Sequence, residues 1–380
     1  MNLDDASAVR AADGGRVLAS IEGMRRQCAS ALGAARALAI PDAFVRPDQI
    51  LVVGMGGSAL AADIARALFA PTLRVPFLVV RGGPLPGWVG PQTLVVLSSY
   101  SGETEEVLAA ADEAFTRTGR AVAITTGGSL AARAAARGRP VLALDPSTNP
   151  SGQPRFAVGG SLFALLGILE RVGALGGADS GADSGAGLGA RAGADRAHSI
   201  GALDGALAEI DASHARHGVA ARRPANRAKE IALFLEGRAV AVVAAEHLAG
   251  AARALANQLN ETAKTFAAPF ELPELNHHLM EGLLLPRSNP DSLAFLLVES
   301  PRYSPRIRAR FAATREVVAS QKIPDETFVP AGGSPLSEAL DALAFGSYLA
   351  LYLALRGGQD PAAIPWVDHF KARLAGLAGP

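Results

Sequence analysis

Two short stretches carry the residue types that hold an anion. "GMGGSA", residues 54–59, sets Gly56, Gly57 and Ser58 between the apolar run "ILVV" and the helix-patterned "ALAADIARALF". Glycines let backbone N–H groups approach a ligand, and a helix start adds partial positive charge. "SSYSGET", residues 98–104, has hydroxyls in the same setting, with Ser99, Ser101 and Thr104 lying between "TLVVL" and "EEVLAAADEAF". Hydroxyls donate to phosphate oxygens as helix amides do. Facing one another, the two loops would cradle a small sugar phosphate through directional hydrogen bonds. Each stretch alone also reads as plain capping, with Ser58 capping one helix and Ser101 or Thr104 the other, where Glu103, Glu105 and Glu106 complement the dipole. The glycines do not form a dinucleotide fingerprint, because Ala59 takes the third glycine position and Arg81 ends the next apolar run.

The elements that must position these loops alternate along the chain. Apolar β-type runs "ILVVG", "FLVV", "TLVVL", "AVAITT" and "VLAL" are separated by longer helical patterns, as in a parallel sheet covered on both faces. A helical region over 16–38 precedes them and a helix over 159–173 follows. The Gly/Ala/Ser/Asp tract at 174–197 repeats ADSG and has too little apolar surface to fold by itself, so it reads as a flexible linker. Alternation then resumes with helices near 198–216 and 225–235, the strands "AVAVVAA" and "LAFLLVES", a helix over 304–320 and the apolar "LSEALDALAFGSYLALYLAL". The expectation is an α/β protein with two tandem domains, each a mainly parallel sheet flanked by helices, over 1–173 and 198–380.

Composition narrows the partners. Lys plus Arg and Asp plus Glu both number 36 in 380 residues, which leaves no basic excess for nucleic acid. The single cysteine, Cys28, makes no internal disulfide or cysteine zinc cluster. The N-terminus lacks the basic and apolar pattern of a secretory signal. No uninterrupted apolar run nears the roughly 20 residues that span a bilayer. A cytoplasmic protein without a membrane partner is expected.

"GMGGSA" together with "SSYSGET" resembles the sugar isomerase (SIS) domain, an α/β fold that binds phosphosugars. In the second half, "NQLNETAK", "ELPELNHHLMEG" and "GQDPAAIPWVDHFKARL" resemble the bifunctional phosphoglucose/phosphomannose isomerases, which are tandem SIS-domain enzymes. The resemblance implies interconversion of glucose 6-phosphate or mannose 6-phosphate with fructose 6-phosphate through an enediol. It implies that Gly56, Gly57, Ser58, Ser99, Ser101 and Thr104 bind substrate and phosphate, that Glu261 is the base and that His277 opens the ring. Arg155 would stabilise developing negative charge and Lys371 would assist ring opening. A homodimer is implied, with His277 reaching its site from a partner subunit. These roles suit the chemistry. A partly buried carboxylate can shuttle a proton near neutral pH, an imidazole exchanges protons with ring oxygens, and a guanidinium stabilises an enediolate. Neither metal nor organic cofactor is required, and "NHH" lacks the HExxH spacing of a zinc helix.

Without the motifs, Glu261 and Lys371 read as helix-surface residues and Arg155 as a loop residue. Two departures from the family pattern stand out. Glu103 takes a position usually held by Asn, where a carboxylate would weaken phosphate binding unless it points away. Ile364 and Pro365 stand where Thr-Pro is usual, which bears on the choice between glucose and mannose epimers. The rival readings are a non-catalytic phosphosugar-binding regulator and a ketose-phosphate aminotransferase. The acid/base set argues against the first, and the lack of a glutamine-hydrolysing domain against the second.

Overall fold

A computed structural model describes residues 1–175 and 200–376. The helices α1 (Ala6–Ala12), α2 (Val17–Glu22) and α3 (Met24–Ala37) lead into the first sheet. Its elements are β1 (Gln49–Gly54), α4 (Gly56–Phe69), β2 (Phe77–Val80), β3 (Thr93–Ser98), α5 (Glu105–Arg117), β4 (Ala121–Thr125), α6 (Gly128–Ala136) and β5 (Val141–Ala143). Helices α7 (Val158–Arg171), α8 (Ile200–His217) and α9 (Arg227–Leu235) connect to the second. There β6 (Ala239–Ala245), α10 (Ala249–Glu261), β7 (Ala267–Leu272), α11 (Leu275–His278), α12 (Asn289–Ser292), β8 (Leu293–Val298), α13 (Pro305–Ser320) and β9 (Asp325–Phe328) are followed by α14 (Pro335–Arg356) and α15 (Pro365–Ala375).

Both sheets are parallel throughout, in the orders β2-β1-β3-β4-β5 and β7-β6-β8-β9. The near-continuous apolar runs of β1, β3 and β4 follow from cover on both faces. Side chains alternate along a strand, so Ile50, Val52, Leu94 and Val96 enter the main core while Leu51, Val53, Val95 and Leu97 enter a smaller one with Val107 and Leu130 of α5 and α6. The main core runs without a break from the first sheet into the second, joined where α4 meets α10. A methyl group on Gly250 would lie 2.6 Å from the Asp63 carbonyl carbon, so only glycine permits this approach.

The expected α/β architecture with two parallel sheets is present. The helical region at 16–38 divides at Gly23 into α2 and α3. The expected linker at 174–197 lies outside the described residues except for Ala174 and Leu175, which are buried. Strands β7 and β9 carry little strand signal, being edge strands of sequence AAPFEL and DETF. Helix α14 has the length and apolarity to cross a bilayer, yet it is buried throughout the protein core.

Candidate active site

In an open parallel sheet, ligands bind beyond the carboxyl ends of the strands, where the strand order reverses. The first sheet reverses between β1 and β3, and "GMGGSA" and "SSYSGET" are the loops that follow those two strands. The loops are tied together. Ser58 Oγ accepts from Tyr100 N at 3.2 Å, and Ser99 Oγ accepts from Gly102 N at 3.1 Å while sharing a 2.8 Å hydrogen bond with Thr104 Oγ1. Ser58 and Ser99 are buried, and Ser101 is exposed with its hydroxyl accepting from Glu103 N. Thr104 occupies the N-cap position of α5, but its hydroxyl bonds to Ser99 and not to the helix. Ser58 N donates to Met55 O and Val107 N to Thr104 O, both at 3.1 Å, and the N–H groups ahead of them in α4 and α5 precede the first helical hydrogen bond.

Glu103 points away from it. Its carboxylate accepts from Ser129 N and Ser129 Oγ, both at 2.7 Å, and these bonds hold its pKa below the usual carboxylate range. The carboxylate thus caps α6, and the expected penalty on phosphate binding does not arise from its placement.

The turn before α7, which carries Arg155, links the loop after β1 to residues of the second half. Gly57 abuts the chain at Pro154, where an added methyl group would lie 2.8 Å from the Pro154 carbonyl oxygen, so the loop after β1 and Arg155 are direct neighbours. The Arg155 guanidinium is buried and donates from Nε to Thr262 Oγ1 at 3.0 Å, and from its terminal nitrogens to Gln153 Oε1 at 2.8 Å, Pro361 O at 2.9 Å and Ala362 O at 2.8 Å. It also lies 3.5 Å from a carboxylate oxygen of Glu261. One side chain thereby fixes the end of α10, which carries Glu261, and the loop before α15, which carries Lys371.

Burial raises the pKa of Glu261 above the ordinary carboxylate value, opposed by the positive charges of Arg155, Lys264 and Lys371 in that order. A carboxylate placed this way is suited to take and return a proton near neutral pH. Lys264, which sequence reasoning passed over, donates to the carbonyls of Glu261 and Thr262 at 2.9 and 3.1 Å, in the left-handed conformation that ends α10. Its place three residues after Glu261, where a cation meets a helix C-terminus, was the available signal. Thr262 and Gln153, also passed over, hold Arg155. Lys371 is exposed on α15, and Ile364 is the N-cap residue of that helix. His277 is exposed on α11, and no side-chain hydrogen bond to it is formed among the described residues. The chain therefore brings Glu261, Arg155 and Lys371 together with the two loops but leaves His277 outside the group.

Residues 43–147 match the SIS domain family, and residues 224–374 match the bacterial phospho-glucose isomerase C-terminal SIS domain. The chain is 26% identical over 333 residues to the bifunctional phosphoglucose/phosphomannose isomerase of Caldicellulosiruptor bescii, covering 86% of this chain and 90% of that protein. It is 26% identical over 334 residues to the protein of the same name from Thermoplasma volcanium, covering 86% and 92%. Among solved structures it superposes on a hypothetical protein from Thermus thermophilus with a TM-score of 0.71, over 99% of this chain and 95% of that one, at 18% identity. Each matched segment falls on one of the two parallel sheets and the relatives align across both, so the chain carries two SIS-type domains and is similar over most of its length to the bifunctional phosphoglucose/phosphomannose isomerases.

Proposed function

We propose that the protein is an aldose–ketose isomerase that interconverts glucose 6-phosphate and mannose 6-phosphate with fructose 6-phosphate. One observation carries the reading: Arg155 touches the phosphate loop at Gly57 through its backbone neighbour and reaches Glu261 and Thr262 with its side chain, so an anion cradle and a half-buried carboxylate open onto one crevice. The phosphate binds the N–H groups of α4 and α5 with the hydroxyls of Ser58, Ser101 and Thr104, and Ser99 sets the loop. After ring opening, Glu261 removes the proton from C2 of the aldose and returns it to C1. The intervening enediolate is stabilised by the fixed charge of Arg155. Every step moves protons within one substrate, so the reaction needs no electron acceptor.

His277 and Lys371 assist ring opening in this reading, with His277 supplied by the partner subunit of a homodimer. The exposure of His277, and of Leu284, Leu285, Trp366 and Phe370 on the same C-terminal half, supports that assembly. The test is a coupled assay with each hexose 6-phosphate, wild type beside Glu261→Gln. Activity that collapses in the variant while phosphosugar binding persists supports the proposal. Binding without turnover in the wild type would favour a regulator, and a fully active variant would remove Glu261 as the base.

A further inference from the structure

The second sheet also reverses its strand order, between β6 and β8, and so opens a second crevice beyond their carboxyl ends. Its loops carry donors of the kind that bind phosphate. His247 follows β6, Ser300 and Arg302 follow β8, and all three converge on one group. That group is the Glu338 carboxylate from the first turn of α14. Its Oε2 is 2.7 Å from His247 Nε2 and accepts from Ser300 Oγ at 2.6 Å, while its Oε1 accepts from Arg302 Nε at 2.9 Å. Ser300 Oγ in turn accepts from Arg302 N at 3.0 Å, and Arg302 also donates to Gly332 O. Glu338 is 2% exposed, His247 9% and Ser300 3%, so the cluster is closed to solvent on every side but that of Arg302. A second carboxylate, Glu246, accepts from Ser304 N at the head of α13 at 3.3 Å.

We infer that the second crevice is an anion site occupied by the chain's own carboxylate, Glu338, which stands where a phosphate or sulfate oxyanion would sit. A carboxylate joins two loops only through donors arranged for an anion, and the imidazole, hydroxyl and guanidinium here make a set that also suits a tetrahedral oxyanion. Glu338 keeps external anions out by occupying those donors. Removing its charge and volume together, as in Glu338→Ala, frees them.

The experiment compares Glu338→Ala with its parent in a Ser101→Asp background, where the added carboxylate repels phosphate from the first cradle. Thermal unfolding is followed in phosphate, sulfate and chloride at matched ionic strength. The parent should show only the small general stabilisation that surface-excluded phosphate and sulfate give over chloride. Glu338→Ala should gain a rise in melting temperature of a few degrees in phosphate and sulfate over chloride. Glu338→Gln, which keeps the volume filled, should not. If Glu338→Ala does not fold in chloride, phosphate or sulfate should restore the folded fraction. Equal behaviour in all three salts, or an equal oxyanion response in the parent, would overturn the inference and leave Glu338 as a packing carboxylate. None of these outcomes depends on isomerase activity.

Discussion

The two sheets open crevices at the same topological place and fill them in opposite ways. In the first, the turn after β1 has Gly56 in the left-handed region at φ 49°, and hydroxyls and helix N–H groups line the opening. In the second, the turn after β6 has Glu246 in that region at φ 47°, and Glu338 spans the loops. A left-handed conformation costs glycine nothing and glutamate on the order of 1–2 kcal/mol. The second turn accepts that strain at Glu246, whose carboxylate accepts from Ser304 N, while Glu338 from α14 fills the crevice itself. The fold supplies the crevice twice, and side chains decide which one is left open.

The contrast breaks most readily at the first crevice. Glu261→Gln should lower kcat by roughly 1000-fold with substrate affinity retained, measured by steady-state kinetics and calorimetry. Arg155→Met tests the electrostatics. The proposed mechanism uses the Glu261 carboxylate, whose pKa is raised by burial and held down most strongly by Arg155. Removing that charge should move the acid limb of the pH–rate profile upward, and Arg155→Lys should move it less. An unmoved limb would mean that another group sets it.

Smaller effects sharpen the comparison. Replacing Ser99 by Ala or Thr104 by Val breaks the hydrogen bond that shapes the β3 loop and should raise KM about tenfold with little change in kcat. Glu103→Ala removes the cap on α6 and should lower the melting temperature slightly while leaving KM unchanged. A large change in KM there would show that Glu103 faces the substrate after all.

What could be read in the sequence was what is local. The cradle loops were legible because glycines and hydroxyls at strand-to-helix junctions act within a few residues of their position. The strands β1, β3, β4, β6 and β8 were legible because burial on both faces writes them as apolar runs. Edge strands β7 and β9 were not, since one holds Pro269 and the other is largely polar. Groups set by distant partners were equally hidden. The direction of Glu103 depends on Ser129, Arg155 matters through Thr262 and Pro361, and Glu338 reads as an ordinary helix-start acid until His247, Ser300 and Arg302 gather around it. Glu261, His277, Arg155 and Lys371 were candidates only through family resemblance, because a lone carboxylate or cation has no pattern of its own.

In the proposed reaction Glu261 moves a carbon-bound proton at the first crevice. The direct measurement is solvent hydrogen incorporation: fructose 6-phosphate is incubated with the protein in deuterium oxide and followed by NMR. The wild type should introduce deuterium at C1 of the ketose and C2 of the aldose products, since a carboxyl proton exchanges with solvent between removal and return. Glu261→Gln should bind the sugar phosphate and introduce none. Deuterium entering at the wild-type rate in that variant would contradict the account.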